Sequence, residues 1–326
     1  MRIHIYSRSF APALGGTERL MELLAREFAT KGHDVTVVTE TRGEADFPFP
    51  VVRAPSFRRA LALARASDAI LAAPLSLRRL PVHFLARRPI VVAHPILYID
   101  SGRHALPALL KRLFAKFVTS VVPSQFMARH FARAMVVPNP YDTGLFGNPA
   151  SDFPKRDVLF VGRLVPEKGC DLLIRGFAAF GGSVRLSIVG EGPERVRLEL
   201  LAEELGILSR IDFCGELAGV PLAKAMQAHA VMVVPTLCEE AFGIVALEGL
   251  ASGCRMIVAQ SGGLPEAVGP FALTFPRGDV AALAACLKIA CSGEDQPPPR
   301  REIEAHLRNF SPERIAQKYL EIIDRP

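Results

Sequence analysis

The sequence predicts an α/β protein built from two open parallel sheets in tandem. Three observations carry this reading. Strand-like runs alternate with helical patterns along the whole chain, as in repeated βαβ units. The run Ala230–Pro235 is apolar throughout, as expected where both faces of a sheet are covered. A chain of 326 residues also exceeds the usual single core, so two domains are expected.

In the first series, strands are expected at residues 2–7, 34–39, 69–73, 89–93, 118–122 and 135–137. Helical patterns fall between them at 17–31, 56–66, 107–116 and 124–134. Pro138-Asn139-Pro140 then stops regular structure, and residues 141–156, rich in Gly, Pro, Asn and Asp, read as an interdomain linker. The second series places strands at 157–161, 185–189, 211–214, 230–235, 255–259 and 272–275. Its helices are expected at 169–180, 193–205, 220–228, 243–251 and 279–290. After Pro297-Pro298-Pro299 come two final helical patterns. Ser311-Pro312-Glu313 opens the last with a capping Ser and Pro at the first helical position.

Composition narrows the class. No apolar run reaches the roughly 18 residues of a membrane-spanning helix, and the first residues read as a strand, not as a signal peptide. Six cysteines, at 170, 214, 238, 254, 286 and 291, form no Cys-x-x-Cys pair. They are expected to be buried small apolar residues in a reducing cytoplasm. Charge is uneven: residues 1–150 hold 20 Lys+Arg and 10 Asp+Glu, whereas 151–326 hold 19 and 23. The first half is therefore expected to face something anionic: nucleic acid, an anionic acceptor or an acidic lipid surface.

Ligands of open parallel sheets bind beyond the carboxyl ends of the strands, and the suggestive loops stand there. Gly15-Gly16 precedes a helix, which suits close approach of an anion and equally suits a flexible helix start. His94 follows the run Ile90–Ala93, where a structural and a functional histidine read alike. Arg163 and Lys168 leave a strand tip five residues apart and can close on a diphosphate; taken alone they also fit solvated surface cations. Gly190-Glu191-Gly192 lacks the third glycine of a dinucleotide fingerprint. In Glu240-Ala-Phe-Gly-Ile-Val-Ala-Leu-Glu248 a strand, a loop and a helix start succeed one another. Glu240 is placed in the loop and Glu248 about two turns further on, with unpaired helix amides available to a phosphate. Asp-x-Asp, His-Glu-x-x-His and Gly-x-Ser-x-Gly are absent, which removes support for metal-chelated phosphate, zinc peptidase and serine hydrolase chemistry.

Taken together, the ordered set resembles glycosyltransferase family 4, whose members are retaining and use nucleotide sugars. It comprises Gly15-Gly16, His94, Ser124, Pro138-Asn139 with Asp142 and Phe146, the segment from Val161 through Arg163, Glu167 and Lys168 to Gly169, Val189 to Pro193, Glu240 to Glu248, and Gly262-Gly263-Leu264-Pro265-Glu266. Two departures stand out: His94 is followed by Pro where Asp is frequent, and Asn139-Pro140-Tyr141 replaces the usual Asn-Gly-Val.

The resemblance implies a GT-B fold, two Rossmann-like doubly wound domains facing a central cleft. Residues 1–147 would bind the acceptor, 157–305 the nucleotide sugar, and the helix within 306–326 would return to the first domain. It further implies that Arg163 and Lys168 stabilise the diphosphate leaving group and that Glu248 binds the ribose. Glu240 would hold the donor sugar, oriented by the amides of Phe242, Gly243 and Ile244 near Gly190. Gly15, Gly16 and His94 would act from the first domain. No metal or cofactor is expected beyond the UDP-, GDP- or ADP-sugar donor, and the acceptor is expected to be a glycan, a lipid-linked molecule or a small molecule.

The implied activity is a hexosyltransferase in cell-surface polysaccharide or glycolipid synthesis. The alternatives are an epimerase or hydrolase acting on nucleotide sugars, or a non-catalytic subunit that binds them. Residues 103–117 form a basic amphipathic stretch, and Arg58-Arg59, Arg78-Arg79 and Arg87-Arg88 add to its field. This suggests a cytoplasmic protein peripheral to an anionic inner membrane face. Nucleic acid is not expected as a partner, because the basic half has no recognition motif or aromatic stacking strip.

Overall fold

The computed structural model describes residues 1–13, 15–96, 105–131, 133–147, 157–292 and 296–325. The chain divides into two units, Met1–Pro140 with Asn309–Pro326, and Tyr141–Arg308.

In the first unit the strands are β1 (Arg2–Ser7), β2 (Asp34–Thr39), β3 (Val51–Arg53), β4 (Ala69–Ala73), β5 (Ile90–Ala93), β6 (Thr119–Val122) and β7 (Met135–Val136). They form one sheet in the order β3-β2-β1-β4-β5-β6-β7, with every pairing parallel. Its helices are α1 (Gly16–Thr30), α2 (Phe57–Ala66), α3 (Leu80–Ala86), α4 (Ala105–Phe114) and α5 (Gln125–Ala128). The second unit runs β8 (Val158–Val161), α6 (Cys170–Phe180), β9 (Leu186–Val189), α7 (Arg195–Glu204), β10 (Ile211–Gly215), α8 (Gly219–Ala228), β11 (Val231–Val234) and α9 (Ile244–Ala251). It continues with β12 (Arg255–Gln260), α10 (Leu264–Val268), β13 (Ala272–Pro276), α11 (Val280–Cys291) and α12 (Arg300–Leu307). Its sheet order is β10-β9-β8-β11-β12-β13, again all parallel.

Counted from its own first strand, the second sheet reads 3-2-1-4-5-6, the Rossmann order, and the first sheet extends the same order by one strand. The central strands are apolar throughout because helices cover both faces: β4 and β11 are buried at every position. One core joins Ile3, Ile5, Val35, Val37 and Leu71 to the inner face of α1, namely Leu20, Met21, Leu24 and Phe28. The last helix, α13 (Pro312–Ile323), completes that same core with Ile315, Ala316, Tyr319, Leu320, Ile322 and Ile323. Ser311 caps it by accepting from the Arg314 amide.

The structure departs from the periodicity in four places. Helices α3 and α10 are not among the expected elements; each is short and carries a proline, Pro81 or Pro265, in its first turn, where proline is tolerated. Strand β3 is a three-residue edge between prolines, too short to show alternation. The helix expected over 124–134 stops at Ala128. Phe131 turns its ring onto His94 at 4.4 Å between centroids, and Arg133 takes a left-handed φ of 61°. All six cysteines are free, with Cys170, Cys254 and Cys286 buried. Cys214 is exposed and Cys238 and Cys291 are half-buried, against the expectation that all are buried. Residues 148–156 of the expected linker lie outside the described residues.

Because α13 lies far from its core partners in sequence, its packing can be tested alone. Ile315→Ala is expected to cost about 2–5 kcal/mol in urea denaturation. The exposed neighbour change Arg314→Ala should stay within about 0.5 kcal/mol.

Candidate functional site

In the second unit the strand order reverses between β8 and β11, so the loops leaving these strands diverge and open a crevice at their carboxyl ends. The loop after β8 carries Arg163 and Lys168, and the loop after β11 carries Glu240. They meet directly: Lys168 Nζ donates to Glu240 Oε1 at 2.6 Å, across 72 residues of sequence. Both side chains are half-buried, while Arg163 is exposed at the same strand tip and makes no ion pair among the described residues.

The backbone beneath this pair is tightly sewn. The Glu167 carbonyl accepts from the amides of Leu237 at 2.8 Å and Cys238 at 3.3 Å. The Glu240 carbonyl accepts from the Gly263 amide at 2.7 Å, which ties in the loop after β12. Gly169 has φ +68°, and a Cβ there would overlap the Pro235 carbonyl oxygen. Only glycine lets the two loops approach so closely.

The other predicted residues fall around this point. Gly243, at φ 100°, is the N-cap of α9 and supplies no side-chain cap. The Ala246 amide donates back to the Gly243 carbonyl at 3.0 Å, and the amides of Ile244 and Val245 open the helix ahead of it. Phe242 buries its ring and Ile244 is half-buried. Glu248 is half-buried on α9. Glu248 stands about 6 Å along α9 from Ile244, and the two turns expected between Glu240 and Glu248 are partly loop, since residues 241–243 precede the helix. Gly190 has a structural duty of its own: its amide donates to the Gly215 carbonyl at 2.7 Å, and a Cβ would overlap the Gly162 carbonyl oxygen.

Three predicted residues belong to the first unit. Gly15 is the N-cap of α1 in an extended conformation, and Gly16 is the first helical residue. A Cβ at Gly15 would meet only the flexible end of Glu18. His94 lies at the tip of β5, wholly buried, with Nε2 at 3.1 Å from Ser120 Oγ. Ser120 Oγ gives its one proton to the Ala115 carbonyl at 3.1 Å, so it accepts from His94, which places the imidazole proton on Nε2. Burial, helped by repulsion from Lys111, pulls the His94 pKa down to about 3.

Thr236 and Ser261 went unnoticed in the sequence. Both are buried hydroxyl residues at the tips of β11 and β12, and Ser261 Oγ donates to the Cys238 carbonyl at 2.6 Å. The available signal was a small hydroxyl residue at the end of each apolar run. Among the described residues no three His, Cys, Asp or Glu side chains gather as metal ligands.

Residues 146–306 match the family described as Glycosyl transferases group 1. An uncharacterized glycosyltransferase of Methanocaldococcus jannaschii is 39% identical over 113 residues, covering 34% of this chain and 29% of the relative. A D-inositol 3-phosphate glycosyltransferase of Mycobacterium ulcerans is 38% identical over 117 residues, covering 34% and 25%. The match thus spans under a third of either relative's length. Among solved structures, a glycosyltransferase of Rickettsia africae superposes with a TM-score of 0.81 at 16% identity, over 99% of this chain and 98% of that one. Anabaena HepE in complex with UDP and glucose superposes with a TM-score of 0.82 at 21% identity, over 99% of both chains.

Two other histidines of the first unit share the state of His94. Burial, then the charge of His83, lowers the His4 pKa to about 3; burial, then Arg79, lowers that of His83 to about 4. All three bind protons more weakly folded than unfolded, so their contribution is complete above about pH 6.5 and is lost as pH falls toward 4. Their ring NMR signals are expected to hold constant from pH 8 to 5, while the urea midpoint of this unit falls between pH 7 and 4.5. A ring titrating near 6.5 would contradict the assignment for that residue. Nearly the whole second unit thus matches the family model described as Glycosyl transferases group 1, and the chain as a whole has the GT-B fold.

Proposed function

We propose that the chain is a retaining, nucleotide-sugar-dependent glycosyltransferase of family 4. The observation that carries the reading is the Lys168–Glu240 pair at the crevice of the second sheet, inside the stretch that matches the glycosyltransferase family. Without donor, the two charges balance each other. A diphosphate arriving beside Lys168 and Arg163 takes over the cations and frees Glu240 to accept hydrogen bonds from sugar hydroxyls. Glu248 binds the ribose, and the amides of Gly243 and Ile244 at the start of α9 donate to oxygens of the nucleotide sugar.

In the proposed reaction the acceptor hydroxyl oxygen bonds to the anomeric carbon while the bond from that carbon to the diphosphate oxygen breaks. The hydroxyl proton passes to the departing diphosphate on the same face, which retains configuration. Lys168 and Arg163 stabilise the charge that grows on the leaving group, the role a metal ion fills in other enzymes. Glu240 positions the sugar and offsets positive charge at the anomeric carbon. We assign acceptor recognition to the first unit, with a hexose as the group transferred. His94, neutral and wholly buried, acts there through its hydrogen bond to Ser120 at the tip of β5, not by proton transfer.

We expect Lys168→Ala or Arg163→Ala to weaken donor binding at least 10-fold and to cut turnover at least 100-fold in folded protein. Glu240→Ala should lose most transfer while retaining nucleoside diphosphate binding. The measurements are calorimetric titration with UDP, GDP and ADP, and transfer assays with their sugars in EDTA. Near-normal transfer by the folded variants would refute these roles. Rapid donor breakdown without acceptor would favour a hydrolase.

The proposal extends to an anionic membrane surface, where lipid-linked acceptors for cell-surface glycan synthesis are presented. No helix among the described residues is long and apolar enough to cross a membrane. On α4 and the turn after it, Leu106, Leu109, Leu113 and Phe117 are 65%, 59%, 47% and 70% exposed, at a spacing that aligns them on one face. Exposed Lys116 flanks this stripe. Arg103 and His104 of the predicted basic stretch, and the Arg112 side chain, lie outside the described residues. Arg79 does not belong to the basic field: it is buried, paired with Glu40 at 2.6 Å. Flotation with anionic liposomes should carry the protein, and Leu109→Glu with Phe117→Glu should release it. Equal, negligible binding to anionic and neutral liposomes would sink this part of the proposal.

A further inference from the structure

We propose that Thr236 is a positioning residue, whose buried hydroxyl holds the loop bearing Lys168 in register with the loop bearing Glu240. Its Oγ1 lies 3.1 Å from the Glu167 carbonyl oxygen and 3.5 Å from that of Cys238. The contact to Glu167 is the shorter by 0.4 Å, so the single Thr236 proton goes to that carbonyl, while the Cys238 carbonyl receives the Ser261 hydroxyl at 2.6 Å. Its lone pairs remain open to the Cys238 thiol, 3.4 Å away.

The Glu167 carbonyl shares one rigid peptide plane with the Lys168 amide. At one end that plane accepts from Thr236 Oγ1, Leu237 N and Cys238 N; at the other, Lys168 N donates to the Val165 carbonyl at 3.0 Å. Directly after Lys168, Gly169 presses on the Pro235 carbonyl, the residue before Thr236. The backbone of Lys168 is thus fixed on both sides by the tip of β11. Its long side chain then needs little further ordering to reach Glu240.

Thr236 has no exposed surface, so it acts through Lys168 and not by touching a ligand. Removing the hydroxyl leaves the Glu167 carbonyl to two amides and exchanges a buried hydrogen bond for a void or a methyl contact. The loop should loosen where it matters for a β-phosphate. That last step rests on the donor-site reading above; the joint itself does not.

The test compares Thr236→Val and the smaller Thr236→Ala, which lack the hydroxyl, with Thr236→Ser, which keeps it. By hydrogen exchange, the Leu237 and Cys238 amides should exchange at least 10-fold faster in Val or Ala and at wild-type rates in Ser. By calorimetry, UDP should bind about 5- to 10-fold more weakly to the hydroxyl-less variants and within twofold of wild type to Ser. UMP, which has no β-phosphate, should bind all four proteins within twofold. Unchanged amide exchange in the hydroxyl-less variants would overturn the joint. Equal losses for UDP and UMP would overturn its action through Lys168. If wild-type protein binds neither UDP, GDP nor ADP, the donor-site reading fails, and the exchange rates still decide whether Thr236 forms the joint.

Discussion

Everything chemical in the second unit depends on where its sheet reverses order. Because β8 is flanked by β9 on one side and β11 on the other, the segments leaving β8 and β11 depart toward opposite faces. Their tips stay adjacent while their continuations diverge, which leaves a crevice at the carboxyl edge. Lys168 and Glu240 stand on the loops that leave those two tips, and their ion pair joins the loops. A sheet with the same strands in another order would leave these charges on separate edges.

The loops at that edge are held by backbone more than by side chains. Glu167, Pro235 and Glu240 each present a carbonyl that a neighbouring loop approaches or bonds. Hydrogen bonds and close glycine contacts of this kind are short and directional, so they locate the Cα atoms with little latitude. A charged pair anchored in this way is ordered before a ligand arrives, and less free energy is lost in ordering it on binding. In the first unit the corresponding polar groups are treated differently. His4, His83 and His94 are buried as neutral rings, a choice that favours packing and sacrifices stability in acid.

Much of the fold was legible because burial on both faces writes a plain pattern. Runs such as Ala69–Ala73 and Val231–Val234 are apolar at every position, and the helix patterns between them are spaced to cover a sheet. What escaped were elements whose local signals mislead. Pro81 and Pro265 stand in the first turns of short helices, where proline is tolerated. The helix after Ser124 ends at Ala128, and beyond it Phe131 packs on the His94 ring, a contact between residues far apart in sequence.

At the candidate site the sequence by itself determined the inventory: which carboxylates and cations stand at strand tips, and which glycines permit close loops. Those are properties of residue type and local periodicity. Only the tertiary structure decided that Lys168 and Glu240 are partners, that Glu248 lies one turn into α9, that Thr236 bonds the Glu167 carbonyl, and that His94 carries no charge. Partnership across 72 residues follows from strand order, and strand order follows from how helices cover the sheet. The charge of a histidine follows from how completely water is excluded around it. Neither is a property of a short stretch of chain.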